Sequence, residues 1–87
     1  MIVRYSKRFQ KQFHSRLSPK MRQQFGRRLE LFLANPRHSR LNVHSLSGKY
    51  AGCWSMNVSG DVRAIFEYQG SQAVILFLVI GTHAQLY

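Results

Sequence analysis

Few side chains in this sequence can do acid–base chemistry. The candidates are four histidines, three carboxylates, four tyrosines and one cysteine. Three of them stand where elements are predicted to end: His44 in a polar loop, Asp61 at a tight turn and His83 directly after an apolar strand. Functional residues concentrate in loops at such positions. With one cysteine and scattered histidines the sequence has no paired metal-ligand spacing, so we expect no metal and no cofactor.

The charge of the chain points to a polyanionic partner. Thirteen Lys and Arg residues oppose three Asp and Glu residues, which gives a net charge of +10. The segment from Lys7 to Arg28 is rich in Lys and Arg and contains no acidic residue. Such a surface attracts nucleic acid, an anionic membrane or an acidic protein. For RNA, the candidate binding residues are Lys7, Arg8, Lys11, Arg27, Arg28, Lys49 and Asn57.

RNA is a suitable substrate for these residues because it carries its own nucleophile, the 2′-hydroxyl. Cleavage then needs a base, a cation for the phosphate charge and an acid for the leaving oxygen. His44 and His83 can act as acid or base near neutral pH, and Asp61 can be a base or orient a histidine. Arg63 offers a planar charged fork for phosphate, and Tyr87 can stack on a base or bind phosphate through its hydroxyl.

Apolar periodicity predicts the helices that precede these residues. Residues 1–5 predict a short strand, and Ser6 is a candidate N-cap for a first helix. Ser18-Pro19 predicts the start of a second helix, with Ser as N-cap and Pro at the first helical position. Asn35-Pro36 predicts its end, because the residue before proline avoids the helical region. The two helices should form a hairpin with basic outer faces.

The remaining residues predict strands. Residues 36–51 predict a polar loop, after which apolar residues alternate from Trp54 onwards through a turn at Ser59-Gly60. The apolar run Ala73–Ile80 predicts a strand buried on both faces, ended by Gly81. The predicted order is β-α-α-β-β-β. This is an α+β fold in which a helical hairpin packs on a mostly antiparallel sheet, with residues 1–87 as one domain.

The sequence also predicts a compartment. Cys53 is the only cysteine, so no intramolecular disulfide can form, and a reducing environment fits. The longest apolar run is too short to cross a bilayer, and basic residues follow the N-terminus at once, unlike a secretory signal. We therefore expect a soluble cytoplasmic protein without a membrane partner.

Motifs in the second half resemble a known family. They are His44-Ser-Leu-Ser-Gly48, Gly52-Cys-Trp54, Gly60-Asp-Val-Arg63-Ala-Ile-Phe66 and Ile80-Gly-Thr-His83-Ala-Gln-Leu-Tyr87. In this order and spacing they resemble the RelE/ParE superfamily of type II toxins. The closing Gly-Thr-His-x-x-Leu-aromatic is most similar to the YafQ-like mRNA interferase branch. The basic helical hairpin matches too, so the resemblance covers nearly the whole chain.

The resemblance implies a RelE-like fold and a ribosome-dependent endoribonuclease. Such a toxin cleaves mRNA without a metal, leaves a 2′,3′-cyclic phosphate and a 5′-hydroxyl, and is neutralised by a cognate acidic antitoxin. By position, His44, Asp61, His83 and Tyr87 take active-site roles, and Arg63 matches a strand arginine that binds phosphate. We assign the general acid to His83, the base to Asp61 or His44, and the transition-state cation to Arg63.

Two departures and two alternatives stay open. Asn57 stands where YafQ-like toxins tend to have a second histidine, and Val62 where they have a tryptophan, so one acid–base group is missing. One alternative is a ParE-like inhibitor of DNA gyrase, a branch that lacks the loop histidine and the closing histidine motif. The other is a non-catalytic RNA- or ribosome-binding module.

Overall fold

The computed structural model describes residues 1–71 and 73–87. In that part of the chain no helix is long and apolar enough to cross a membrane. A short 3₁₀ turn, Gly48–Tyr50, lies in the segment between the second and third strands. The helices and strands are β1 (Ile2–Tyr5), α1 (Lys7–Arg16), α2 (Pro19–Ala34), β2 (His44–Ser45), β3 (Trp54–Asn57), β4 (Val62–Gln69), β5 (Val74–Thr82) and α3 (His83–Leu86).

The five strands form one sheet in the order β1-β5-β4-β3-β2. The outer strand β1 pairs with β5 in parallel, and every other pairing is antiparallel. The predicted α+β fold with a mostly antiparallel sheet is therefore confirmed.

Three local details differ from the prediction. The two-residue strand β2 lies in the predicted loop 36–51, and it is too short to show an alternating pattern. The tail forms α3, and β5 continues through Gly81 to Thr82. Gly81 does not end the strand; it makes room for the returning chain, since a Cβ there would lie 2.8 Å from Gln85 Oε1.

Both long helices begin at the predicted caps. Ser6 Oγ accepts a hydrogen bond from the Phe9 backbone N–H at 2.9 Å, and Ser18 Oγ accepts one from Met21 at 3.1 Å. These bonds satisfy donors that the first turn of a helix leaves free. Pro19 occupies the start of α2, which ends at Ala34. Local sequence therefore fixes the start of each arm of the hairpin.

The helical hairpin packs on one face of the sheet, called here the helix face. Its core is aromatic: Phe77 of β5 lies 5.3 to 5.6 Å, between ring centroids, from Phe9, Phe25 and Phe66. Phe66 also meets Phe32 of α2 at 5.2 Å. These five rings are at most 4% exposed. Aromatic pairs in tilted or edge-on arrangements add to the free energy gained by burying their area.

Side chains of the first helix complete the edge of β5 that β1 leaves open. The pairing with β1 ends at Phe77, and a bulge follows it opposite Ile65 and Phe66. Ser6 Oγ then donates to the Leu78 carbonyl at 2.7 Å. Gln12 Oε1 accepts from the Ile80 N–H at 2.9 Å, and this glutamine is only 7% exposed. The hydrogen bonds hold α1 on the strand that leads into the C-terminal residues.

The opposite face of the sheet, called here the open face, carries a much smaller core. Cys53, Ile65, Val79 and Leu86 form it, with Tyr50 among the half-buried residues packed against them. Leu86 belongs to α3, so this cluster anchors the short C-terminal helix. Beside this cluster the open face carries polar side chains, among them Ser55 and Arg63.

Candidate active-site cleft

A cleft of about 440 Å³ lies on the open face. Alternation along the strands places it there: Ser55 precedes the fully buried Met56 of the helix-face core, and Arg63 precedes the fully buried Ala64. The cleft is lined by Asn42, His44, Leu46, Ser47, Ser55, Arg63, His83 and Tyr87.

The C-terminal helix brings two of these side chains together. Thr82 caps α3 by accepting from the Gln85 N–H, and the Gln85 side chain accepts in return from the Thr82 N–H. This reciprocal pair satisfies two otherwise free donors. His83 and Tyr87 are four residues apart, so they share one side of the turn, with ring centroids 4.6 Å apart and planes inclined by 31°. The capped turn thus presents a histidine and a phenol as one unit.

Tyr50 braces this unit from the side. Its hydroxyl donates to the Leu86 carbonyl at 3.1 Å, and its ring meets that of Tyr87 edge-on at 5.5 Å. The Lys49 ammonium lies 5.4 Å from the centroid of the Tyr50 ring, within the range of a cation–π contact. Sequence reasoning missed Tyr50, because a single tyrosine in a polar loop carries no periodic or motif signal.

His44 is held in one tautomer. Its Nδ1 lies 2.7 Å from the Asn42 carbonyl oxygen, and a carbonyl can only accept, so Nδ1 carries the proton. In the neutral ring Nε2 then has a free lone pair. Asn42 has a positive φ of 45°, a conformation that asparagine tolerates better than most residues. The loop therefore prepares His44 as a proton acceptor.

Arg63 is held by the turn between β3 and β4. Its Nη1 donates to the carbonyls of Ser59 at 2.8 Å and Val62 at 3.2 Å, and its Nη2 donates to that of Gly60 at 3.2 Å. A guanidinium has five N–H donors. Within the described chain, this leaves the Nε–H and one Nη2–H for a ligand, a pair that matches two phosphate oxygens.

The pKa of the Tyr87 phenol lies above its ordinary value. Burial raises this pKa, nearby Tyr50 raises it further, and the positive charge of Arg63 opposes the shift. Since an ordinary tyrosine titrates near pH 10, Tyr87 is a hydroxyl donor at neutral pH. It can donate to a phosphate oxygen.

The pKa of the Cys53 thiol is also raised, by burial and by the negative charge of Glu67. The thiolate is the nucleophilic form, so this shift lowers the reactivity of the sulfur. Cys53 belongs to the small core of the open face and does not line the cleft. In residues 1–71 and 73–87 no three His, Cys, Asp or Glu side chains group closely enough to bind a metal ion.

Four of the five predicted catalytic residues line one cleft: His44, Arg63, His83 and Tyr87. Asp61, the fifth, does not line it. It is exposed at the turn, where its N–H bonds to Ser59 Oγ at 3.3 Å. Of the two bases left open by the sequence, only His44 therefore faces the cleft. Ser55 was missed, although its alternation with buried Met56 is the same signal that placed Arg63.

The predicted RNA-binding residues fall in two places. Lys7, Arg8, Lys11, Arg27 and Arg28 belong to the helical hairpin, on the far side of the sheet from the cleft. Lys49 instead lies beside Tyr50, near the C-terminal helix.

Asn57, the remaining predicted RNA-binding residue, is half-buried on β3 and does not line the cleft. Its Oδ1 is buried without a hydrogen-bond partner among the described residues. This oxygen is closed to RNA in this conformation, and RNA binding by the rest of the half-buried Asn57 side chain stays a prediction.

No protein-family model matches this chain, and no curated protein matches it. Solved structures do. YafQ from E. coli aligns with a TM-score of 0.78 and 21% identity, covering 98% of this chain and 96% of its own. A YoeB/ParE toxin from Agrobacterium tumefaciens aligns with a TM-score of 0.78 and 16% identity, covering 95% of this chain and 99% of its own. A chain of the toxin–antitoxin complex RelBE2 from Mycobacterium tuberculosis aligns with a TM-score of 0.69 and 16% identity, covering 94% of this chain and 96% of its own. The chain therefore has the fold of RelE/ParE-superfamily toxins, as its motifs predicted.

Proposed function

We propose that this chain is the toxin of a type II toxin–antitoxin system, and that it cleaves mRNA on the ribosome by acid–base catalysis without a metal ion. The observation that carries the proposal is the convergence of His44, Arg63, His83 and Tyr87 on one cleft. A proton acceptor, a phosphate-binding cation and a proton donor are the groups that 2′-hydroxyl attack requires.

The mechanism follows from the free atoms in the cleft. His44 Nε2 removes the proton of the 2′-hydroxyl, and the oxygen attacks the adjacent phosphorus. Arg63 binds the phosphate oxygens through its free N–H groups as negative charge builds on them. Protonated His83 gives its proton to the 5′-oxygen as the P–O5′ bond breaks. The products are a 2′,3′-cyclic phosphate and a 5′-hydroxyl, and the two histidines return to their starting forms by exchange with water.

Tyr87 has a supporting part in this proposal. Half of its surface is exposed, and its ring lies against that of His83. A base that stacks on Tyr87 would bring its own phosphate beside the acid. Among the described residues that line the cleft, Arg63 is the one Lys or Arg. Most of the electrostatic attraction for RNA must therefore come from other parts of the surface.

The basic hairpin supplies that attraction. Lys7, Arg8, Lys11 and Arg27 are exposed, and Arg28 is half-buried with its guanidinium on the Arg40 carbonyl at 2.9 Å. Because these residues lie away from the cleft, we assign them to ribosomal RNA rather than to the scissile segment. The same charge suits an acidic antitoxin, and the RelBE2 relative is a toxin–antitoxin complex.

A translating extract with a defined mRNA tests the activity. Primer extension should map new 5′ ends with the native chain, and His83→Ala should slow their appearance by about 10²- to 10⁴-fold, the usual contribution of a general acid. Ribosome binding should be unchanged. The matched control is His14→Ala, which removes an exposed histidine of α1 and should cleave like the native chain.

A second arm tests the chemistry. A single 2′-deoxynucleotide at the mapped site should abolish cleavage there, since the nucleophile is gone. Absence of new ends with the native chain would overturn the nuclease proposal and favour the gyrase alternative, which a supercoiling assay measures. Unchanged toxicity of His83→Ala, together with its loss on charge reversal in the hairpin, would indicate a binding module.

A further inference from the structure

The turn between β3 and β4 is closed by one side chain. Ser59 Oγ accepts from the Val62 N–H at 3.0 Å and from the Asp61 N–H at 3.3 Å. Across the turn, the N–H groups of Val58 and Ser59 both donate to the Val62 carbonyl, at 2.9 and 3.2 Å. A serine hydroxyl that bonds to backbone groups two or three residues on is a known turn-stabilising arrangement.

In residues 1–71 and 73–87, the same turn supplies the acceptors that hold Arg63. The guanidinium donates to the carbonyls of Ser59, Gly60 and Val62, so its position depends on how these three peptide groups are oriented. Its cross-strand neighbour Asn57 does not accept a hydrogen bond from the guanidinium, because Asn57 Oδ1 has no hydrogen-bond partner in the described chain. Among the described residues, the carbonyls of this turn are the hydrogen-bond acceptors that orient the guanidinium.

We propose that Ser59 is a positioning residue for Arg63. Its hydroxyl fixes the turn, the turn carbonyls fix the guanidinium, and the guanidinium meets the phosphate with its remaining N–H groups. This inference rests on the proposed function, in which Arg63 binds the scissile phosphate. Ser59 does not line the cleft, so we place it behind Arg63 rather than against the phosphate. No motif marked this residue, which the sequence shows only as half of a Ser-Gly turn.

Loss of the Ser59 hydroxyl should lower the rate of RNA cleavage and leave RNA binding unchanged. In Ser59→Ala the Val62 and Asp61 N–H groups lose their acceptor. The Val62 carbonyl stays held by the N–H groups of Val58 and Ser59, whereas the Ser59 and Gly60 carbonyls can rotate away from Arg63. A displacement of about 1 Å in a catalytic group can slow a reaction about 100-fold. We expect the single-turnover cleavage rate of Ser59→Ala to fall by about 10- to 100-fold at an unchanged KM.

The test is a double-mutant cycle in ribosome-dependent cleavage. Ser59→Ala and Arg63→Ala are compared singly and together, with Ser59→Thr as the variant that keeps a hydroxyl and should restore the rate. Ser15→Ala, an exposed serine of α1, is the matched control. If Ser59 acts through Arg63, Ser59→Ala costs nothing further in the Arg63→Ala background. An equal loss in both backgrounds would show a general structural role and overturn the inference.

A second measurement does not depend on activity. Rotation about the Arg63 Nε–Cζ bond, followed by NMR of the guanidinium N–H groups, should be slow in the native chain and faster in Ser59→Ala. Unchanged rotation would overturn the inference. The two proposals fail in different ways: native-like cleavage by Arg63→Ala contradicts the proposed mechanism, whereas a slow Arg63→Ala beside a native-like Ser59→Ala contradicts only the role of Ser59.

Discussion

The two faces of the sheet differ in what they bury. The helix face closes over a cluster of phenylalanine rings, and the hairpin seals it from water. Among the described residues, the open face buries a small apolar cluster at α3 and carries beside it the polar side chains of the cleft. Within each of β3 and β4, adjacent residues point to opposite faces. Met56 and Ala64 are fully buried, whereas their neighbours Ser55 and Arg63 line the cleft.

This division predicts that stability and the proposed cleavage chemistry are separable at the level of single residues. A change on the helix face should lower the free energy of unfolding and leave the rate per folded molecule intact. A change around the cleft should do the reverse. Three substitutions test this separation, in order of decreasing effect.

Phe77→Ala should have the largest effect on stability. The ring contacts four other aromatic rings at centroid distances of 5.3 to 5.8 Å, so its removal leaves a cavity. The expected loss is about 3–5 kcal/mol, a large share of the total for a domain of this size. Urea unfolding measures it. Cleavage per folded molecule should stay native-like, and a stability loss under about 1 kcal/mol would contradict the helix-face core.

Gln12→Leu should have an intermediate effect. It leaves the Ile80 N–H, now bonded to Gln12 Oε1 at 2.9 Å, without an acceptor. An unsatisfied buried donor costs about 1–3 kcal/mol. Urea unfolding gives the loss, and hydrogen exchange at Ile80 should quicken more than at Ala64. The exposed Gln23→Leu on α2 is the control, expected within about 0.5 kcal/mol of native.

Tyr50→Phe should have the smallest effect on stability but a visible one on rate. It removes only the hydroxyl that donates to the Leu86 carbonyl, worth about 1 kcal/mol. Because α3 carries His83, we expect cleavage to slow by about two- to tenfold, in line with a free-energy cost of that size. Tyr68→Phe, whose ring packs on the helix face against Trp54, is the control. A slower Tyr68→Phe than Tyr50→Phe would break the comparison.

Much of the fold was predictable because its signals are local. Ser6, Ser18 and Pro19 mark the helix starts, and the alternation from Trp54 onwards assigns side chains to faces. The strand β2 and helix α3 were not predictable, since two and four residues are too few to show a period.

Four of the residues that line the candidate cleft were predictable from the motifs, but their arrangement was not. Motif positions named His44 and Asp61 together as bases, and nothing local says that only one of them faces the cleft. That difference arises from the pairing of His44 with Ser55 across two strands, which is a tertiary fact. Tyr50 donates to the Leu86 carbonyl, and the turn at Ser59 holds Arg63 through its carbonyls. Every residue has a backbone carbonyl, so the residue types do not reveal which carbonyls make these contacts.

The parallel pairing of β1 with β5 has a kinetic consequence. It joins Ile2 to Val74, and Ser6 reaches Leu78 across a sequence separation of 72 residues. Contacts between residues so distant along the chain form slowly, because a long loop must close before any of them is gained. The strand that completes this loop, β5, leads directly into His83. In a partly folded molecule His83, the proposed acid, is therefore not in its place, and we expect cleavage activity to appear during refolding only as the whole sheet closes.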